Sequence, residues 1–158
     1  MNIKKFSAGA WISCAAAVLA LVALIAYVVN ISSAGYFQNA TVTNLVLFNV
    51  LAILALAVVV VLGQLKMSGS AATAVDLVSG ILQILVPVAL AFCLISLVAA
   101  RAQGLSFIYF SNADVAMEVQ TPANMASATG TIVNMVCLAI ATLAGLVGAF
   151  CNPRKKAA

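Results

Sequence analysis

The sequence has no histidine and only three acidic residues among its 158 positions, so the side chains that transfer protons or bind metals in most enzymes are scarce. Acid–base and metal-assisted catalysis both need such groups within reach of one another. No glycine-rich phosphate loop is present, and the four cysteines include no Cys-x-x-Cys pair. The sequence therefore predicts a protein that is not an enzyme and that uses no metal or cofactor.

Charged residues are equally scarce, at 6% of the chain, and none occurs between Phe6 and Leu65. A water-soluble domain of this length needs a polar exterior, whereas hydrophobic residues make up 66% of this sequence. A surface so poor in polar groups is stable against lipid and not against water. The sequence therefore predicts an integral membrane protein whose first partner is the lipid bilayer.

Four apolar stretches are long enough to cross about 30 Å of hydrocarbon as helices, which takes roughly 20 residues. Each is continuously hydrophobic, unlike the alternating strands of a barrel. The first is predicted to be a retained span because its apolar run is longer than that of a usual cleaved signal peptide. The predicted fold is an all-α transmembrane four-helix polytopic bundle, a single integral membrane domain over residues 1–158 with spans at about 8–30, 44–65, 75–100 and 123–151.

The lysines and arginines are distributed unevenly between the two ends of the predicted helices. All but Arg101 precede helix 1, follow helix 4 or lie in the loop 66–74. Cytoplasmic segments are enriched in these residues, so both termini are predicted to be cytoplasmic, in what we expect to be the plasma membrane. The segments 31–43 and 101–122 then become outer loops. A basic tail this short is too small a cationic surface to predict a nucleic-acid partner.

The second outer loop carries a pattern typical of two short strands. Leu105–Phe110 is aromatic and β-branched, Val115–Gln120 alternates in polarity, and the turn-prone Ser111–Asp114 lies between them. This pattern predicts an extracellular β-hairpin, although an aromatic belt at the membrane interface accounts for the aromatic residues equally well. The candidate residues for partner contact in this loop are Arg101, Phe107, Tyr109, Asp114 and Glu118.

Small and hydrogen-bonding residues recur every three or four positions in the first and fourth stretches. Such faces let helix backbones approach closely in lipid, so helices 1 and 4 are predicted to pack antiparallel through them. The alternative is that one face contacts another protomer or a partner protein. The N-terminal seam consists of Gly9, Ser13, Ala16, Ala20, Ala23, Tyr27 and Asn30. The C-terminal seam consists of Ser127, Gly130, Asn134, Cys137, Ala141, Ala144, Gly148 and Cys151.

Helix 3 carries a polar stripe that includes Asp76, Gln83 and Pro87. Proline cannot donate its backbone hydrogen bond, which frees the Gln83 carbonyl and bends the helix, so this face could line a ligand site. Packing inside the bundle is the more frequent role of such residues. Asp76 is predicted to form a capping box with Thr73 at the start of the helix.

Asn49 and Asn134 lie inside helices 2 and 4, where hydrogen bonding between helices is favoured over solute binding. The sequence favours a non-enzymatic scaffold or accessory subunit that contacts another membrane protein, or a second copy of itself, through the seams and the outer loop. The alternative is a small oligomeric channel or transporter protomer with Gln83, Asn49 and Asn134 as its polar lining. A membrane enzyme that works through backbone or hydroxyl groups is the least favoured class.

Overall fold

A computed structural model describes residues 7–65 and 68–151. Within these ranges the chain is helical and contains no strand, which confirms the all-α prediction. The helices are α1 (Ala8–Ser32), α2 (Leu45–Gln64), α3 (Ser70–Phe110), α4 (Ala113–Val119) and α5 (Pro122–Ala149). The cations on which the orientation prediction depends lie outside the described residues: Lys4, Lys5, Lys66, Arg154, Lys155 and Lys156.

Four of these helices, α1, α2, α3 and α5, are long and apolar enough to cross a membrane. At most a third of the most apolar part of each helix is buried inside the bundle. The exposed remainder includes Leu77, Ile95 and Leu143, each more than 60% exposed. Contiguous apolar surface of this extent is unstable in water and is solvated well by lipid tails. By length and composition, the chain is a multi-pass integral membrane protein.

The four long helices pack as a ring in the order α1, α2, α3, α5, and the contact between α1 and α5 is the most extensive. Two contacts show that α1 and α5 run antiparallel. A Cβ atom at Gly148 would lie 3.9 Å from the Ser13 hydroxyl near one end. Asn30 donates to the carbonyl of Ser127 over 2.6 Å near the other end. The N-terminal seam therefore lies along α5.

The two seams differ in how completely they are buried. Every residue of the N-terminal seam is buried. The C-terminal seam alternates: one set is buried, namely Ser127, Asn134, Ala141 and Gly148, and the other is half-buried, namely Gly130, Cys137, Ala144 and Cys151. Helix α5 also packs against α3, and its remaining buried residues are Ala128, Thr131, Leu138 and Gly145. Helix α5 thus buries two adjoining faces.

One apolar core contains residues from all four long helices. The residues from α1 are mostly alanines, whereas α2 and α3 contribute mainly leucines; examples are Ala16, Ala20, Leu56, Leu90, Leu97 and Leu138. In lipid the hydrophobic effect does not drive helices together, so close packing and interhelical hydrogen bonds supply the stability. The small residues of α1 allow the close approach, and the larger ones fill the space.

The segment predicted as a β-hairpin is helical, so that prediction is wrong. Helix α3 continues to Phe110 instead of ending near residue 100, and α4 follows after two residues. In α4 the half-buried residues are Val115, Ala116 and Val119, whose spacing fits one face of a helix. Local β-propensity is weak and is overridden where helical packing buries the same side chains. At 41 residues, α3 is about 60 Å long, twice the hydrocarbon thickness.

The predicted capping box is also wrong. Helix α3 begins at Ser70, and its N-cap residue is Gly69, which makes no side-chain capping bond. Gly69 has a φ of 68°, which glycine adopts at little cost. Thr73 therefore lies inside the first turn. Asp76 is exposed in the following turn, where the effect of the helix dipole has largely faded.

Gln83 connects α3 to the last turn of α5. Its side-chain amide donates to the carbonyls of Gly148 over 3.0 Å and Cys151 over 3.3 Å. The Gly148 carbonyl already accepts from the backbone N–H of Cys151, so the amide adds a second donor to it and also pairs the Cys151 carbonyl, which follows the end of the helix. One turn further on, Pro87 packs against α5, with its Cβ 3.6 Å from a Cβ built at Gly145. The polar stripe of helix 3 thus contacts α5 at these two positions.

Replacing Gln83 with leucine is expected to lower the stability of the bundle by about 1 kcal/mol, since it removes both bonds to α5. The matched control is Gln103→Leu, because Gln103 is exposed on the same helix and has no comparable bond. Thermal unfolding of the purified proteins in detergent measures the difference. Equal unfolding temperatures for the two variants would contradict the role given to Gln83.

Candidate functional site

A folded cap closes one end of the bundle, the end at which α1 is joined to α2. We define the cap as residues 33–44, the part of α3 from Arg101 onward, α4 and the first turns of α5. A small apolar cluster forms its centre, with Phe37, Ile108 and Ala128 buried. Leu105, Tyr109, Val119 and Met125 pack around these three residues. The cap is thus a packed unit and not a set of loose loops.

Asn30 at the end of α1 fastens the cap to α5. Its amide nitrogen donates to the Ser127 carbonyl over 2.6 Å, and its amide oxygen accepts from the Thr131 hydroxyl over 3.4 Å. The Ser127 hydroxyl accepts from the backbone N–H of Phe37 over 3.2 Å. Gly130 leaves the necessary room, since a Cβ there would lie 2.7 Å from the Asn30 amide nitrogen. The N-terminal and C-terminal seams therefore meet the cap in one hydrogen-bonded network.

Arg101 is buried beneath residues 33–44, with 3% of its surface exposed. It donates through Nη2 to the carbonyl of Ala40, and its guanidinium carbon lies 4.5 Å from the centre of the Phe37 ring. The Nε atom is buried and has no hydrogen-bond partner within residues 7–65 and 68–151. Neither Asp114 nor Glu118 pairs with it, since both are exposed on α4. Arg101 is therefore a buried cation without a carboxylate partner among the described residues.

Tyr27 of α1 also binds the backbone of residues 33–44. Its hydroxyl accepts from the backbone N–H of Val42 over 2.6 Å, two residues from the carbonyl that Arg101 binds. Tyr27 is itself buried. A buried tyrosine and a buried arginine thus face one short stretch of backbone.

The outward surface of the cap is partly apolar and partly acidic. Phe110 and Met117 are 84% and 80% exposed. We call this surface the cap rim, which consists of Tyr36, Phe107, Phe110, Asp114, Met117 and Glu118. Of the residues predicted to contact a partner, Phe107, Asp114 and Glu118 are exposed there, whereas Tyr109 is half-buried. Arg101 lies within α3 and is buried inside the cap, so it is not exposed for contact with a partner.

Among the described residues, no hydrogen bond joins the polar residues predicted to line a path. Gln83 contacts the end of α5, while Asn49 lies on α2 and Asn134 on α5. In the described part of the chain, both amide atoms of Asn49 and the amide oxygen of Asn134 are buried without a hydrogen-bond partner, so the hydrogen bonding between helices predicted for these asparagines is not found. An apolar groove of about 470 Å³ lies between α2 and α3, and its lining includes Phe48, Ala52, Leu85 and Phe92 but none of these three polar residues.

Tyr36 and Phe37 of the first predicted outer loop contribute to the site by packing on α3. The two rings pack edge to face, with centroids 5.2 Å apart, on a part of α3 that is more than sixty positions away in sequence. Gly104 makes the contact possible, because a Cβ there would lie 2.6 Å from the Phe37 ring and 2.7 Å from the Tyr36 ring. Two features of the sequence point to this contact: the aromatic pair that follows Gly35, and Gly104, which lies one turn after Arg101.

The Gly104→Ala substitution is expected to destabilise the cap by about 1–3 kcal/mol, since the added methyl group overlaps two rings. Gly80→Ala is the matched control: it lies on the same helix and gains the same helix propensity, but its Cβ would meet nothing within 4 Å. Proteolysis of native membranes, followed at residues 33–44, reports opening of the cap. A cap as resistant in Gly104→Ala as in Gly80→Ala would contradict the tight packing at Gly104.

Comparison with known proteins identifies no relative of this chain. No protein-family model matches the sequence, and no curated protein matches it significantly. No solved structure matches its fold significantly either. The function therefore has to be inferred from the geometry and chemistry of the cap and the bundle.

Proposed function

We propose that the protein is a non-enzymatic four-span membrane scaffold or accessory subunit that contacts another membrane protein through the cap rim. The observation that carries this proposal is a packed cap whose outward surface carries two strongly exposed apolar side chains, Phe110 and Met117. Helix α3 places Phe110 about 14 Å beyond Arg101 along the helix axis. Exposed apolar residues on a well-packed support are typical of protein contact sites.

The composition of the cap rim favours a protein over lipid as its partner. Apolar residues at its centre are accompanied by Asp114 and Glu118, both exposed on the same short helix. Carboxylates are repelled by anionic headgroups, so a surface meant to insert into lipid would carry cations there instead. A protein interface commonly combines an apolar centre with a polar rim. The partner we expect has apolar residues flanked by cations.

We also propose that the cap lies on the outer side of the plasma membrane and that both termini are cytoplasmic. The support is the distribution of lysine and arginine along the sequence, of which only Arg101 belongs to the cap. With this orientation the cap rim faces the outer part of neighbouring membrane proteins. The aromatic residues Tyr36 and Phe107 then lie near the outer interface, where such rings are frequent.

A channel or transporter protomer is the less favoured function. The amide of Gln83 is already bonded to α5, and the apolar core shared by the four helices consists mainly of alanine and leucine side chains. A polar path would therefore have to form between several copies. An ion-coupled mechanism would also need an ionisable group in mid-membrane, and the described parts of α1, α2 and α5 contain none.

The contact is tested by placing a photo-crosslinking residue at Phe110 or Met117 in native membranes. We expect both positions to capture the same membrane protein, identified by mass spectrometry. Ile95 is the control position, because it is 68% exposed on the lipid-facing side of α3 and should capture lipid only. The double substitution of Phe110 and Met117 by serine should abolish co-purification of that protein without lowering the unfolding temperature.

Other outcomes of this experiment are equally decisive. A crosslinked homodimer would make a second copy of this chain the partner, and lipid adducts alone at all three positions would rule out a docking role. Met117→Cys additionally tests the orientation, since a membrane-impermeant maleimide should label it in intact cells. Labelling only after permeabilisation would show that the cap faces the cytoplasm, and it would not contradict the proposed contact with a partner protein.

A further inference from the structure

We propose that Arg101 and Tyr27 form a binding site for a phosphate oxyanion at the cap end of the bundle. The site is distinct from the cap rim, and the proposal does not depend on which protein the rim contacts. Neither residue has its hydrogen-bonding capacity filled within the described part of the chain. Both lie where the membrane-spanning part of the bundle gives way to the cap.

The first observation is the unbalanced charge of Arg101. A guanidinium group has five N–H donors, and it cannot lose its proton in a protein. Here its one hydrogen bond to the described residues goes to Ala40, although only 3% of the residue is exposed. The Phe37 ring offsets part of the lost hydration through its negative face. Removing a charge from water without an opposite charge is costly, so a buried arginine normally has an anionic partner.

The second observation is an unused donor on Tyr27. The hydroxyl oxygen accepts from Val42, but its own proton is donated to no described group. The residue is 2% exposed. The carbonyl of Ala40 and the N–H of Val42 fix the two side chains against the same short segment. One oxyanion can therefore accept from the guanidinium and from the tyrosine hydroxyl together.

The acids of this chain do not supply the missing anion. Asp114 and Glu118 are exposed on α4, and Asp76 lies in the second turn of α3, about 37 Å along the helix from Arg101. The planar fork of arginine suits an acceptor with two or more oxygens held in fixed geometry. The segment Leu77–Ala100 is uncharged and long enough to cross the hydrocarbon, and a span ending there would put Arg101 at the depth of lipid phosphates. These features select a phosphate group.

The phosphate could belong to a lipid headgroup or to a soluble phosphate compound, since both offer the same oxygens. The test uses the whole purified protein, freed of lipid in a neutral detergent. Three probes are added separately: short-chain phosphatidylglycerol, the diacylglycerol with the same chains, and inorganic phosphate. Phosphatidylglycerol at about a hundredfold excess over its dissociation constant should raise the unfolding temperature by roughly 5 °C or more, and diacylglycerol should not.

The response should depend on the two donors. Arg101→Gln should abolish it, Arg101→Lys should retain part of it, and Tyr27→Phe should weaken binding about tenfold. Should Arg101→Gln fail to fold, the lysine and phenylalanine variants decide the question. A similar response to inorganic phosphate would assign the site to a soluble compound, whereas a response to phosphatidylglycerol alone would assign it to lipid. Equal shifts with diacylglycerol, no shift with any phosphate, or a full response in Tyr27→Phe would each overturn the proposal.

Discussion

The close approach of α1 and α5 is the contact on which the rest of the structure depends. In lipid, apolar side chains gain nothing by leaving solvent, so helices associate only where backbones come near enough for dispersion and polar contacts to act. The alanines and Ser13 of α1 meet the small residues of α5 along most of their length. Because α5 also packs on α3 and α1 on α2, this one contact closes the ring.

The cap follows from the same contact. Asn30 sits at the end of α1, and its amide makes two hydrogen bonds to α5 that place the following chain over the end of the bundle. The Tyr36–Phe37 pair can then rest on Gly104, and the ring of Phe37 covers Arg101. The burial of that cation is thus a consequence of how the helices pack. Arg101 has no anionic partner among the described residues, and for this reason we assign the cap a binding role in addition to its structural one.

The sequence predicted those features that depend on local spacing. Four spans and two small-residue faces follow from hydrophobicity and from a period of three to four residues. The hairpin prediction was wrong because Leu105–Phe110 has β-propensity that helix continuation and packing override. The burial of Arg101 could not be predicted, since Phe37 and Ala40 lie about sixty positions earlier in the chain. The lack of a hydrogen-bond partner for Asn49 could not be predicted either, because it depends on which residues of the other helices lie beside the amide.

The most direct measurement is disulfide formation between α1 and α5 in native membranes. In a background with the four native cysteines replaced by alanine, Ser13→Cys is combined with Gly148→Cys, whose Cβ would lie 3.9 Å from the Ser13 hydroxyl. The control combines Ser13→Cys with Gly80→Cys, because Gly80 lies in open space on α3. Rapid intramolecular crosslinking of the first pair alone is the predicted result. Failure of that pair, or equal crosslinking of the control, would contradict the antiparallel α1–α5 contact.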